Sequence, residues 1–97
     1  MAAKSKKQQQ VIVRTYSAGV HYGTLVSLDG KEITLTNARR IWSWKGANTL
    51  HEIALRGVAH GSRISERVSQ ITLTEAIEVI ACDAAGVASL EAATWAA

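Results

Sequence analysis

Proline and phenylalanine are both missing from the 97 residues, and cysteine and methionine occur once each. A single thiol, Cys82, excludes an intrachain disulfide. Without phenylalanine the core has to come from Val, Ile, Leu and Ala, with two Tyr and three Trp used sparingly. No apolar run approaches the roughly 18 residues that a membrane-crossing helix needs, and no signal-peptide pattern opens the chain. These absences lead us to expect a soluble cytoplasmic protein. The length is that of one domain. MAAKSKKQQQ carries no apolar period and reads as a disordered basic tail over residues 1–10, which leaves a single domain over 11–97.

Net positive charge is also scarcer than the formal +3 suggests. Lys4, Lys6 and Lys7 supply all of it, and beyond residue 10 eight Lys and Arg face eight Asp and Glu. The neutral remainder is polarised: residues 11–68 hold eight basic and four acidic groups, whereas residues 69–97 hold four acidic groups and no basic one. A protein that tracks a DNA or RNA backbone needs many cations on one face, so an anionic ligand is expected to be small or held between subunits.

What the chain does have is β-branched alternation. Val11–Tyr16, Val20–Leu28 and Lys31–Trp44 read as strands. Asp29-Gly30 is a two-residue hairpin signal of type I′, which would place Val26 opposite Ile33, Tyr22 opposite Asn37 and Val20 opposite Arg39. In that register Val20, Tyr22, Thr24, Val26, Ile33, Leu35 and Ile41 form the core face. His21, Gly23, Leu25, Arg40, Trp42 and Trp44 lie on the other. A bulge near Gly19 or Gly23 would shift part of this register. Asn48 caps a short helix over Thr49–Arg56 that Gly57 ends. Arg63–Thr74 and Ala76–Cys82 read as strands, with a helix through Leu73, Ile77 and Ile80 as the competing reading. Asp83 caps a final Ala-rich helix ending near Trp95. The expected fold is α+β: a small β-rich domain with an antiparallel sheet, one short helix after the central hairpin and a C-terminal helix.

Catalytic motifs are wanting. His51-Glu52 opens like a zinc HExxH motif, but Leu55 stands where the second His belongs. His21, His51, His60 and Cys82 lack metal-ligand spacing, and there is no phosphate-binding glycine loop or nucleophile elbow. We therefore expect no catalytic residue, metal or cofactor. The densest constellation is NARRIWSWKGANTL, where Arg39 and Arg40 adjoin Trp42 and Trp44. Indoles off the core need cover from a helix, a subunit or a ligand. Arginine suits planar bidentate recognition of phosphate, against the plainer reading of an ion pair with Glu32 or Glu52. Ser17-Ala18-Gly19 offers backbone N–H groups or a simple turn, and Arg63 and Arg67 a ligand contact or a solvated face.

Three blocks, RTYSAGVHYGTLVS (residues 14–27), NARRIWSWKGANTLHEIALRGV (37–58) and SQITLTEAIEVIAC (69–82), resemble the phage-encoded Thoeris anti-defence sponge proteins. The resemblance implies sequestration, without cleavage, of a cyclic ADP-ribose isomer made from NAD by a Toll/interleukin-receptor-domain enzyme in the cytoplasm of an infected bacterial host. It also implies a small β-rich homo-oligomer, dimer or hexamer, with pockets at subunit interfaces and, in hexamers, separate sites for cyclic trinucleotides. On that reading Trp42 or Trp44 stacks on the base, and Arg39 or Arg40 with the Asn48-Thr49 turn takes phosphate and ribose. Arg63 or Arg67 reaches across from a partner subunit, and Ser17, Gly19 and His21 complete the candidate set. The rivals are a small structural phage protein that oligomerises without a ligand, a nucleic-acid-binding regulator and a signal-degrading enzyme.

Overall fold

The computed structural model describes residues 9–93. The expectations for the first eight residues and for Trp95 lie outside that range. Strands β1 (Gln10–Thr15), β2 (Val20–Asp29) and β3 (Glu32–Ser43) form an antiparallel meander. Helix α1 (Leu50–Arg56), strands β4 (Arg63–Ile64), β5 (Val68–Leu73) and β6 (Ala76–Ala81), and helix α2 (Ala84–Ala92) follow. The result is a six-stranded antiparallel sheet with two helices, an α+β and β-rich fold. The competing helix through Ile77 does not form, because β6 pairs along β1. Gln10, assigned from sequence to the tail, is instead the first residue of β1.

β1 is covered on both faces, which explains its unbroken apolar run. Val11 and Val13 point into one cluster with Ile33, Leu35, Ala38, Leu73 and Ala76. Ile12 points into the other with Tyr22, Ile41 and Ile64, beneath Ile53 and Ala54 of α1 and Leu90 of α2. The long strand β3 serves two neighbours in turn. Its first half pairs with β5, from Ile33 opposite Leu73 to Ala38 opposite Val68, and its second half pairs with β4. Because β6 lies along the far edge of β1, the β5–β6 corner carries the chain from one side of the curled sheet to the other.

The hairpin register departs from the expected one. Gly30 and Lys31 connect the strands, with Asp29 opposite Glu32 and Leu28 opposite Ile33. Two irregularities follow, between Leu25 and Ser27 and between Tyr22 and Thr24. Asn37, at φ 50, takes up the slack in β3, a left-handed position that Asn tolerates better than most side chains. Each bulge turns the following side chains over. Val26 is thereby 52% exposed rather than core, while His21 on the expected outer face is buried. Tyr22 stays on the helix side, but Ile33 and Leu35 belong to the opposite cluster. Gly23 sits where the strands come closest: a Cβ there would lie 3.1 Å from the Thr36 carbonyl oxygen and 3.2 Å from the Ala38 Cα.

The helices are fixed by small contacts. Thr49, not Asn48, is the N-cap of α1; its hydroxyl accepts from the Glu52 N–H at 3.2 Å, and the Glu52 carboxylate accepts from the Asn48 N–H at 2.6 Å. That pair of reciprocal bonds satisfies donors a bare helix end leaves open. Gly57 closes α1 at φ 89, its N–H donating to the Ile53 carbonyl at 2.7 Å. Asp83 occupies the N-cap position of α2 without a side-chain cap bond, and its backbone N–H donates to the Ala54 carbonyl at 2.9 Å. No helix among the described residues is long and apolar enough to cross a membrane.

Candidate functional site

Strand alternation separates the two arginines of the NARRIW block. Arg39 points with Ile41 toward the helices and is only 7% exposed. Its Nε donates to the Ser65 carbonyl at 2.8 Å, Nη1 to the Leu90 carbonyl at 2.7 Å, and Nη2 to the Ala93 carbonyl at 2.7 Å, with Ile64 O at 3.5 Å. The guanidinium therefore satisfies carbonyls at the C-terminal end of α2, where a helix presents its negative pole. Burial, with Arg67 nearby, lowers its pKa from the ordinary value, against an opposing pull from Glu91. With its donors committed to backbone, Arg39 is a structural arginine. Of the two arginines offered for phosphate, this one has its N–H groups committed to backbone carbonyls.

Arg40 faces the other way and is exposed. Its guanidinium makes no hydrogen bond or ion pair among the described residues, and Glu52 pairs instead with Arg56 at 2.8 Å. Only its backbone is held: the Arg40 N–H donates to Ser65 Oγ at 2.8 Å, and the Ser65 N–H donates to the Arg40 carbonyl at 2.9 Å. Ser65 thus fixes both arginines, its carbonyl on the side chain of one and its hydroxyl on the backbone of the next.

Directly opposite Arg40 on β2 is His21. It is 2% exposed, and its Nε2 lies 2.9 Å from the Ala18 carbonyl. A carbonyl only accepts, so Nε2 carries the proton and Nδ1 is a bare lone pair. Burial lowers the His21 pKa, the Ala18 contact opposes the shift, and the Arg40 charge adds to it. The imidazole is therefore held neutral. Beside the pair lies a groove of about 270 Å³, bounded by Ser65 and Glu66 from the β4–β5 connection, Val68 and Ile71 from β5, and Ala38 and Arg39 from β3, although the Arg39 N–H groups are committed to backbone carbonyls. It opens at the rim of the core to which Ala38 and Ile71 belong. An arginine, a neutral acceptor and two aliphatic residues lining one concave surface suit a small, partly anionic ligand.

The remaining candidates are dispersed. Ser17-Ala18-Gly19 is a turn locked by Thr15, whose hydroxyl donates to the Gly19 carbonyl at 2.8 Å and accepts from the Ala18 N–H at 2.9 Å. Ser17 Oγ donates to Glu75 at 2.8 Å. The turn reaches the groove only through Ala18, which holds His21. Trp42 is 61% exposed, two residues beyond Arg40 on the same strand. Trp44 packs against the helix-side cluster, so the two indoles do not share one surface. Asn48 and Thr49 serve the start of α1. Arg63 lies exposed on β4, and Arg67 pairs with Glu91 at 2.8 Å.

Glu91 also accepts from the Tyr22 hydroxyl at 2.7 Å, and Gln10 Nε2 donates to the same hydroxyl at 3.1 Å. Burial works to raise the Glu91 carboxyl, but Tyr22, Arg67 and Arg39 bring it below its ordinary value. This network ties α2 to the sheet. A second hollow, of about 280 Å³, lies between the loop after α1 and the end of α2. Its two hydroxyls are consumed internally, Ser89 on the Val58 backbone and Ser62 on Ala59 and Lys45. Burial pushes the Cys82 thiol up to about 11, away from nucleophilic use. Among the described residues no group of three or more His, Cys, Asp or Glu is placed to hold a metal.

Sequence reasoning missed Ser65, Glu66, Val68, Ile71 and Ala38 as groove walls. The available signal was Ser65-Glu66, a polar interruption in what otherwise read as one strand from Arg63 to Thr74.

The chain matches the domain of unknown function DUF6948 over residues 8–90 and belongs to that family. No curated protein and no solved structure matches it.

Proposed function

We propose that this protein is a non-catalytic binding protein that sequesters a cyclic ADP-ribose-type signal, working as a homo-oligomer in the cytoplasm of an infected bacterial host and thereby blocking Thoeris-type antiviral signalling. One observation carries the reading. The groove draws a wall from each of the three blocks that resemble the sponge proteins: His21 from the first, Ala38 and Arg40 from the second, Ile71 from the third. Arg40 supplies charge for a phosphate, and Trp42 on the same strand offers an exposed ring to a base. Arg39, which also lines the groove, and Trp44 and Thr49 are engaged in the fold, so we assign the ligand contacts to Arg40 and Trp42.

Size favours a shared site. Pockets that bury a drug-sized ligand measure about 300–1,000 Å³, and this groove falls just short at about 270 Å³. It accommodates one end of a cyclic dinucleotide-sized ring, so a second copy of the chain covers the rest. Exposed Val26, Leu28, Ile77 and Trp42 supply apolar surface for such contacts. A hexamer would leave room for separate cyclic trinucleotide sites. A sponge must hold its ligand tightly, and nanomolar affinity corresponds to about −12 kcal/mol.

Ligand depletion and recovery test this reading. Purified protein is mixed with cyclic ADP-ribose isomers and cyclic trinucleotides, free ligand is quantified by chromatography, and the protein is then heat-denatured. We expect an isomer to vanish and return intact. Its return as a different compound would make the protein an enzyme. No depletion at all would move the structural-protein reading to the front.

A further inference from the structure

We infer that His21 is the specificity-determining acceptor of the groove: its Nδ1 takes an N–H or O–H donor of the ligand while Arg40 takes the adjoining anionic group. This rests on the groove being the ligand site and goes beyond it by fixing the ligand chemistry that the site selects.

Three observations converge on His21. The Ala18 carbonyl at 2.9 Å fixes the proton on Nε2. Nδ1 has no protein partner among the described residues, yet no buried side-chain nitrogen or oxygen is left unpaired. In a residue 98% enclosed, Nδ1 must therefore meet the accessible surface, and the groove is where His21 borders open space. Third, the neighbours of the ring fix its polarity. Arg40 on β3 disfavours a proton on the imidazole, Val13 on β1 is apolar, and the acidic residue lining the groove is Glu66. A bare acceptor at the surface of a buried ring is poorly hydrated and gains from a donor brought by a ligand.

The charges narrow the ligand further. Arg40 matches one phosphate group of the ligand. The groove therefore selects the end of a molecule that presents a phosphate beside an amino or hydroxyl group, as a nucleotide unit does, and a bare phosphate satisfies only the arginine.

The first test needs no ligand. Long-range proton–nitrogen spectra of the intact protein at neutral pH should show His21 protonated at Nε2 and bare at Nδ1; a proton on Nδ1 overturns the inference. The second uses adenosine 5′-monophosphate, ribose 5-phosphate, inorganic phosphate and the cyclic ADP-ribose isomers as probes in calorimetric titrations. We expect the His21 Nδ1 resonance to shift with the nucleotide probes and not with inorganic phosphate. His21→Phe should weaken nucleotide binding about tenfold, the worth of one good hydrogen bond, whereas Arg40→Ala should weaken every probe. His21→Gln, which keeps an acceptor, should restore part of the loss, and this separates the role from a packing effect.

The outcomes divide cleanly. If the monophosphate binds in a His21-dependent way but no cyclic ADP-ribose isomer does, the inference stands and the sponge reading falls. If an isomer binds equally well to His21→Phe, or leaves the Nδ1 resonance unmoved, the inference falls and the sponge reading stands. If no probe binds, both fall.

Discussion

Arg39 and Arg40 are chemically identical neighbours with opposite employment. On the helix side of the sheet, Arg39 is enclosed and its N–H groups are spent on backbone carbonyls. On the groove side, Arg40 stands exposed beside a buried histidine with a lone pair to offer. The helix side closes its polar accounts internally: Tyr22, Glu91, Arg67 and Gln10 bond one another, and Ser89 seals the loop after α1. The groove side leaves a cation and an acceptor open. Surplus polar capacity on a concave surface is what a binding site requires, and a satisfied network is what a scaffold requires.

The sharpest way to break this comparison is to remove each arginine in turn. Arg39→Met leaves the carbonyls of Ser65, Leu90 and Ala93 without their donor. Hydrogen bonds from a charged group contribute about 1.5–3 kcal/mol each, and the losses are not additive. We expect a destabilisation of about 3 kcal/mol or more, and a fall in Tm above about 10 °C for a domain of this size. Arg40→Ala should stay within about 0.5 kcal/mol of the parent while losing ligand capture. Thermal unfolding of the two variants side by side decides the matter. Equal destabilisation would show that the two arginines do not divide scaffold from site.

A second contrast concerns glycines. Gly86 packs against the backbone of α1, where a Cβ would strike the Ala54 carbonyl oxygen. Since neither backbone can yield locally, Gly86→Ala should force α2 off the sheet and cost about 1–3 kcal/mol. Gly30 at the hairpin tip has nothing within 4 Å of a built Cβ. Gly30→Ala should cost about 1 kcal/mol, from its positive φ alone. Urea titrations that rank the two in the opposite order would show that the α1–α2 contact is softer than the packing implies.

Much of the architecture was legible because period and punctuation agree. β1, the strand after Gly19, α1 with its Gly57 stop, and the Ala-rich α2 all follow from local residue choice. What sequence could not give is which face is core, because both faces of the sheet are covered and a two-sided core erases the alternation that distinguishes them. The bulge at Val26, in a run without glycine, then turned that side chain out to solvent, whereas His21 keeps its expected face and is buried because that face too is covered. For the candidate site, the arginine pair was visible as a constellation, but its division was not. Which member turned inward depended on where α2 would end, some fifty residues later in the chain. His21 could be nominated from the strand pattern, but its tautomer depends on the Ala18 carbonyl, which only the folded turn places.

The smallest effect expected is a pH dependence, and it links the two regions. His21 is held neutral by burial and by Arg40, so its folded-state pKa lies below its ordinary value of 6.5. The unfolded chain then binds the extra proton first, and stability declines as pH falls below about 6.5. This contribution is fully present above that value and is gone once the pH passes below the folded-state pKa. Glu52 and Glu91 push the same way at lower pH. Asn48 and then Arg56 hold the Glu52 carboxyl below its ordinary value, and Tyr22 and Arg67 outweigh burial at Glu91. A stability profile from pH 8 to pH 4 should therefore bend downward in two stages. His21→Gln should flatten the first stage and leave the second. Ligand binding should hold through the first stage, while the native imidazole stays neutral, and weaken only once the pH reaches the folded-state pKa, where protonation removes the Nδ1 acceptor. If the first stage persists in His21→Gln, the early loss of stability belongs to another group, and the groove holds no neutral histidine to lose.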